Sequence, residues 1–399
     1  LAHHMVSLEA YTPPSWAAHL PNPPTQRLRL AVTPSLLHPW PLPGLPPGLE
    51  LFIKRDDLTG MQLSGNKVRK LEFLLAKAKA EGHDSVITIG GIQSNHARAT
   101  AVAARYCGLD SHLILRTSRL AADSDPGLVG NLLVERLVGA HIHTVTKEEY
   151  AAAGSRALTA QLERQLRGQG ANPYVIPVGG SNGLGTWGYL SFVEELRGQA
   201  ADLGLTDIVL ACGSGSTAAG IALGSHLAGL GVRVHGYAVC DSEDYFYAFI
   251  DDLLDQVAPA EARGGAGARD LIRCLLGCGP CPPTFTLVPP PLPARPSCRI
   301  AEAKGVGYGI STDEELATVL DAAQATGEAP WEGIILDPVY TCKALHGWLA
   351  DVAADPAAWA QRRVLFVHTG GLLGMYDKAE QLQGPVQALQ RAHRLHVQS

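Results

Sequence analysis

Hydrophobic and polar positions along the chain follow two alternating periods. Short runs of apolar, β-branched-rich residues read as strands: "LELFIKRD" (49–56), "SVITIGG" (85–91), "SHLILRT" (111–117), "HIHTVT" (141–146) and "PYVIPVGG" (173–180). Between them lie stretches with helical spacing. One spans 69–81, with Leu71, Leu74, Leu75 and Ala78 on one face; others span 94–108, closed by Gly108, then 131–140 and 155–168. The alternation continues through "DIVLACGSGST", "VRVHGYAV", "GIILDPVY" and "RVLFVHTGG". Repeated strand–helix units predict an α/β fold, with parallel sheet covered by helices on both faces. Ligands in such sheets bind beyond the carboxyl ends of the strands. The glycine-rich and polar turns that close these strands are therefore the places to look for a site.

Three segments depart from this rhythm. The first fifty residues are rich in proline and read as an irregular arm lying over a domain. Residues 260–298 hold "RGGAGAR", "CGPCPPT" and "VPPPLPARP" and read as a surface insertion. Residues 208–225 are uncharged over nearly a membrane-spanning length. Their Gly-Ser-Gly-Ser-Thr centre resolves them instead into a strand, a tight loop and a helix.

Composition narrows the class. A chain of 399 residues suits two domains, and 46% hydrophobic with 18% charged residues describes a soluble globular protein. A net charge of −6 gives no general attraction to nucleic acid or to an anionic membrane. The eight cysteines are sparse, and Cys107, Cys212, Cys240 and Cys342 sit singly in apolar surroundings, which reads as reduced thiols in an intracellular protein. Cys274, Cys278, Cys281 and Cys298 are spaced irregularly for a zinc ribbon, so no metal is expected. "LAHHM" at the start reads as an expression scar, which leaves the localisation open.

Four turns carry candidate chemistry. In "ACGSGST", Gly213 to Thr217 follow a strand and open a helix, where backbone N–H groups and the helix dipole can cradle a phosphate. The motif matches neither the dinucleotide nor the nucleoside-triphosphate fingerprint, and such turns also join strands to helices without a ligand. In "IGGIQSNHAR", Ser94 and Asn95 either cap a helix or contact a ligand. "DPVYTCK" and "VHTGG" bring Tyr340, Thr341 and Thr369 to two further strand ends, Tyr340 also being readable as a packed aromatic. In "LSGNKVRKLEF", Lys67 leaves a Gly-Asn turn at a helix start, where basic residues oppose the dipole; Arg69 and Lys70 read as its partly solvated continuation. A phosphate cradle, an isolated lysine and polar strand ends suit an aldehyde cofactor bearing a phosphate, held as a Schiff base, and pyridoxal phosphate is one.

These motifs, with "KRDDLTGMQLSGNKVRKLEF", "DPGLVGNLLVERLVGA" and "PYVIPVGGSNGLGTWGY", resemble the ACC (1-aminocyclopropane-1-carboxylate) deaminase and D-cysteine desulfhydrase family, in order from Phe52 to Lys378 apart from the insertion. "LVGNLLVERLVGA" and "HTGGLLGMYDK" are similar to the plant and green-algal desulfhydrases. The resemblance implies a fold-type II pyridoxal-phosphate enzyme with two open, parallel-type twisted sheets, like the tryptophan synthase β chain. Its large domain would comprise 1–69 and 179–399, and its small domain 70–178. It further implies that Lys67 carries the cofactor, that Asn95 meets the cofactor's 3′-oxygen, and that Cys212, Gly213, Ser214, Gly215, Ser216 and Thr217 hold its phosphate. Gln93, Ser94 and Asn95 would face the substrate, with Tyr308 and Tyr340 as active-site tyrosines. Thr341 and Thr369 stand where ACC deaminases carry Glu and Leu. A hydroxyl near the pyridine nitrogen strengthens the electron sink less than a carboxylate does, which favours expulsion of a thiolate over opening of a cyclopropane.

The expected reaction is thus D-cysteine to pyruvate, hydrogen sulfide and ammonia, with Lys67 or Tyr340 as the base at Cα. ACC deamination is the alternative, and a non-catalytic cofactor-binding protein a remote one. A homodimer is expected, in the mitochondrion or the cytoplasm, with no nucleic-acid or membrane partner. Ser216 and Cys342 replace glycines of the family pattern, and the insertion is absent from it.

Overall fold

The alternation of strands and helices closes into two separate sheets. The structure, a computed structural model, describes residues 6–263, 299–305, 308–324 and 333–389. An antiparallel pair, β1 (Leu8–Ala10) and β2 (Gln26–Leu28), opens the chain. It is followed by β3 (Leu37–Pro39), β4 (Glu50–Lys54) and helix α1 (Lys67–Ala80). Next come β5 (Ser85–Gly91), α2 (Asn95–Tyr106), β6 (Asp110–Thr117), α3 (Arg119–Ala122), α4 (Asn131–Leu137), β7 (His141–Thr146), α5 (Lys147–Gly168) and β8 (Pro173–Val175). These four strands form a wholly parallel sheet in the order β7-β6-β5-β8.

The chain returns through α6 (Gly183–Gln199) to β9 (Asp207–Cys212), α7 (Ser216–Leu227), β10 (Arg233–Ala238) and α8 (Glu243–Val257). It then adds β11 (Arg299–Glu302), α9 (Asp313–Gln324), α10 (Thr341–Ala354), α11 (Pro356–Trp359), β12 (Arg363–Val367) and α12 (Ala379–Leu389). The larger sheet has the order β11-β10-β9-β12-β4-β3 and is parallel except for β3 at its edge. Its centre, β9, is buried on both faces, as a parallel strand sandwiched by helices must be. Ile208, Leu210 and Cys212 point into one core with α6, α7 and α8, while Val209 and Ala211 point into a second with α10.

Several expectations are corrected. "GIILDPVY" is not a strand: residues 333–337 pair with no neighbour, because both sides of β12 are already taken by β9 and β4. The segment instead buries Ile334 and Leu336 in the second core, and its Ile335 carbonyl accepts a hydrogen bond from His368, one residue past β12. The helix expected over 155–168 begins at Lys147 under a Thr146 capping box, with Gly154 at φ +76° breaking its regular path. The strand expected over 173–180 ends at Val175. The proline-rich arm is less irregular than its composition suggests, since it supplies β1 to β3 and buries Trp40 in the second core. Arg69 and Lys70 are not a solvated helix start: they are 4% and 0% exposed.

Residues 208–225 form β9, a loop and most of α7, and no helix among the described residues is long and apolar enough to cross a membrane. Cys274, Cys278, Cys281, Cys298 and most of the 260–298 insertion lie outside the described residues.

Candidate active site

Lys67 owes its position to a turn that only glycine can make. Gly65 has φ +97°, and a Cβ there would lie 2.6 Å from the Thr369 carbonyl oxygen. The next amide, of Asn66, donates to that same carbonyl at 3.1 Å, so the turn is laced to the "HTGG" loop after β12. Arg98 braces it from the other side, donating to the carbonyls of Gln62 and Ser64. The unfavourable cations of the α1 first turn are then accounted for one by one. Arg69 makes a two-pronged bond to the fully buried Asp56 (2.9 and 2.8 Å) and reaches Glu195 at 2.9 Å. Lys70 is buried with no carboxylate among its bonds and donates to the Gly179 carbonyl at 3.2 Å. Burial, and then the neighbouring Lys67 charge, push the Lys70 ammonium well below its ordinary range. Burial likewise lowers Lys67 to about 8, so about a tenth of its amine is neutral and nucleophilic at pH 7, far more than for an ordinary lysine.

Lys67 faces the amino end of α7. Serine, threonine or asparagine caps α2, α5, α6 and α8, through Ser94, Thr146, Asn182 and Ser242. The N-cap of α7 is Gly215, which has no side-chain acceptor. Gly215 sits at φ +81°, the centre of a tight turn in which the Ser216 amide donates to the Ser214 carbonyl at 3.0 Å. The Ser216 amide is thus tied back, and the helix presents its next N–H groups, from Thr217 on, and its positive dipole end to the cavity. Cys212, Gly213, Ser214, Gly215 and Thr217 line that cavity with Asn66, Lys67, Asn95, Tyr340 and Thr369. The space is held open by glycine: a Cβ on Gly213 would meet the Tyr340 ring at 2.9 Å.

A dianionic phosphate fits this uncapped helix end. Asn95 complements it. Its Oδ1 accepts from the Asn131 side-chain Nδ2 at 3.0 Å, which leaves Nδ2 of Asn95 as the group free to donate to a phenolic oxygen. The residues present therefore fit pyridoxal phosphate.

A second chamber of about 200 Å³ opens beside the first and shares Lys67, Gly213, Ser214 and Tyr340 with it. Ser94, Arg116, Tyr150, Asp241 and Tyr308 complete its walls. The hydroxyls of Tyr308 and Tyr340 meet at 2.6 Å, with their rings edge to face. Burial raises both phenols, Tyr340 well above the ordinary range. Both are therefore protonated at neutral pH, and one of the two protons lies between their oxygens.

Four singled-out residues do not line either chamber. Gln93 spends its side chain on the 129–131 segment, donating to the Val129 carbonyl and accepting from the Asn131 amide, both at 2.9 Å. The Ser216 hydroxyl is 3.0 Å from that of Ser181 in a buried cluster behind the cradle. Thr341 is fully buried and donates to Asp337 Oδ1 at 2.7 Å. Cys342 turns away from the chambers, its thiol bonded to the Glu315 carbonyl at 2.7 Å.

Sequence reading missed the residues that hold these loops: Asn66, Lys70, Arg98, Asn131, Ser181, Asp337 and His368. Asp337 accepts from the amides of Tyr340 and Thr341 (2.9 and 2.8 Å) and so fixes the turn that carries Tyr340. His368 accepts the Gly370 amide on Nδ1 and donates from Nε2, which shapes the "HTGG" loop. Asp337 and His368 stand inside the motifs "DPVYTCK" and "VHTGG", so the signal was present and only their roles were not read. Arg98 and Ser181 also lie in such segments, "IGGIQSNHAR" and "PYVIPVGGSNGLGTWGY", but nothing local tells which groups they bond.

Comparison with known proteins agrees with this geometry. The chain is 52% identical over 376 residues to the mitochondrial bifunctional D-cysteine desulfhydrase/1-aminocyclopropane-1-carboxylate deaminase of Arabidopsis thaliana, covering 93% of this chain and 84% of that protein. It is 34% identical to the D-cysteine desulfhydrase of Klebsiella pneumoniae, over 85% and 93% of the two chains. Among solved structures, an ACC deaminase homologue superposes with a TM-score of 0.70 at 31% identity, covering 90% of this chain and 95% of the other. The architecture is that of the fold-type II enzymes, as the motifs imply. Residues 28–370 match the family model described as pyridoxal-phosphate dependent enzyme, and the chain belongs to that family.

Proposed function

We propose that this chain is a lyase that eliminates hydrogen sulfide from D-cysteine, which with one water gives pyruvate and ammonia. The observation that carries the reading is the meeting of Lys67, the uncapped α7 end and the Tyr308–Tyr340 pair in two joined chambers. Bound pyridoxal phosphate supplies the electron sink that makes a Cα proton removable. The chain supplies the rest. The amides of Gly213, Ser214, Gly215 and Thr217 and the Thr217 hydroxyl would anchor the phosphate, and Asn95 Nδ2 would hold the phenolic oxygen. Lys67 Nζ, with its pKa near 8, accepts the Cα proton and releases it to solvent before the next turnover. The shared Tyr308–Tyr340 proton is the available donor toward a departing thiolate. Ser94 faces the substrate at the α2 amino end. Thr369 lines the cofactor chamber, whereas Thr341 acts through Asp337. The cofactor-binding large domain would comprise 1–69 and 179–399 and the small domain 70–178, in a homodimer. A mitochondrial location follows the Arabidopsis relative's description.

A second activity, deamination of ACC, is favoured by one observation: the 52% identical Arabidopsis protein is described as bifunctional. The test is a parallel assay of pyruvate from D-cysteine, L-cysteine and D-serine, and of the keto acid from ACC, with wild type and Lys67→Ala. D-cysteine turnover with hydrogen sulfide release, and loss of both turnover and visible absorbance in Lys67→Ala, is the expected result. Full turnover in Lys67→Ala overturns the lysine assignment, and predominant ACC turnover overturns the substrate assignment. Light scattering of the purified holoenzyme tests the dimer, and imaging of a tagged full-length chain tests the location.

A further inference from the structure

Behind the cofactor cradle, three serine hydroxyls form a chain that the reading above does not use. Ser181 follows the 178–180 turn after β8, Ser214 lies in the cradle loop, and Ser216 is the first residue of α7. The turn is pressed against the loop. Gly179 has φ +66°, and a Cβ there would lie 2.2 Å from Ser214 Oγ. Lys70 holds the turn in place through its bond to the Gly179 carbonyl. The Ser181 hydroxyl is thereby set 3.0 Å from the hydroxyls of both Ser214 and Ser216. Ser216 is 0% exposed and Ser181 5%, so water does not compete for these bonds.

The geometry fixes which way the protons run. Each hydroxyl has one proton to donate and two lone pairs with which to accept. Ser181 is the donor in its bond to Ser214. Its one proton is then spent, so Ser216 is the donor in the bond between Ser216 and Ser181. The chain therefore runs from Ser216 through Ser181 to Ser214 Oγ. Among the described residues the Ser214 hydroxyl donates to no acceptor, and Ser214 lines both chambers. Its proton is left for a ligand.

We propose that Ser216, acting through Ser181, sets the Ser214 hydroxyl as a donor to the cofactor's phosphate. It rests on the reading of the 213–217 loop as the phosphate cradle, and it adds two positioning residues that touch no ligand themselves. With the Ser216 proton on its oxygen, Ser181 must point its own proton at Ser214. Ser214 is then an acceptor on that side and a donor only toward the chamber. Take the Ser216 hydroxyl away and the Ser181 proton is no longer directed. A chain of hydroxyls also polarises its last member, which strengthens that member as a donor to an anion. A phosphate dianion gains from this, whereas a neutral group gains little. Ser216 stands where the family pattern has glycine, which would end the chain at Ser181. This protein extends it by one member.

The test separates the phosphate from the rest of the cofactor. Pyridoxal and pyridoxal phosphate differ by that group alone. Their dissociation constants are measured by equilibrium titration of the full-length chain freed of cofactor, in wild type, Ser216→Ala, Ser181→Ala and the double variant. The expected result is a loss of pyridoxal phosphate affinity of about 3- to 10-fold in each single variant, with pyridoxal held within about two-fold. The double variant should bind no more weakly than Ser181→Ala, because Ser216 reaches the phosphate only through Ser181. Unchanged pyridoxal phosphate affinity in Ser216→Ala overturns the relay. So do equal losses for both aldehydes, which mark a structural role, and additive losses in the double variant. A wild type with no preference for pyridoxal phosphate over pyridoxal overturns the cradle and the relay with it. A preference that the variants keep in full overturns the relay alone. No arm depends on D-cysteine turnover, so the lyase reading stands or falls separately.

Discussion

Replacing Arg69 by methionine isolates the best-defined departure from what the sequence suggests. The substitution keeps the aliphatic stem and removes the guanidinium that bonds Asp56 twice and Glu195. Asp56 is 0% exposed, so its carboxylate loses its closest countercharge in a place water does not reach. Breaking a buried pair by deleting one partner costs about 3–5 kcal/mol. A partly solvated helix-start arginine would cost no more than about 0.5 kcal/mol.

The pH dependence gives a second handle. Burial by itself raises the Asp56 carboxyl, but Arg69 overcomes this and holds it below the usual range. A depressed carboxyl contributes stability that is present above its unfolded value, about 3.9, and is lost as pH falls through its folded value. Without Arg69 the burial effect remains, so the Asp56 pKa rises. The deficit of the variant is then largest at neutral pH and shrinks toward pH 4–5. Urea unfolding of the holoenzyme followed by tryptophan fluorescence, at pH 7.5 and pH 5, measures both effects. Adding Asp56→Asn to the variant removes the stranded charge and should recover a good part of the loss at pH 7.5. A deficit under 1 kcal/mol at pH 7.5, or no recovery in the double variant, refutes the reasoning.

Other outcomes follow from the same contacts. Gly65→Ala forces a Cβ against the Thr369 carbonyl at a φ that costs about 1–3 kcal/mol by itself, and should lower cofactor affinity at least ten-fold, read by equilibrium titration of apoenzyme. Because burial lowers Lys67 to about 8, the rate at which apoenzyme takes up pyridoxal phosphate into the visible band should rise with pH and level off above about 8; a rate still climbing steeply at pH 10 contradicts the lowered value. Cys342→Ala removes a thiol that faces Glu315 and not the chambers, so kcat/KM should change less than about two-fold while stability falls by about 1 kcal/mol.

Much of this protein could be read from its chain alone, and the reason is locality. Alternation of period two or 3.6 reports which face of an element is buried, and it located β4 to β10, β12 and the helices α1, α2, α4, α5 and α7, but not β11 or the later helices. Turn chemistry is equally local: a glycine before a helix, as at Gly215, or a lysine after "SGN", announces itself within a few residues. What the chain did not reveal is which partner each side chain finds, whether four residues away, as for Thr341 and Asp337, or more than a hundred. Arg69 looks solvated until Glu195 is folded against it, and "GIILDPV" looks like a strand until β9 and β4 occupy both sides of β12. Gln93 and Thr341 sit in the right motifs, yet their side chains were claimed by Asn131 and Asp337. Arg116 ends an ordinary strand. Only the register of β5 beside β6, and a tyrosine almost two hundred residues later, bring it to the wall of the second chamber. Periodicity states that a side chain is buried or exposed, but which partner satisfies it is decided by the tertiary fold.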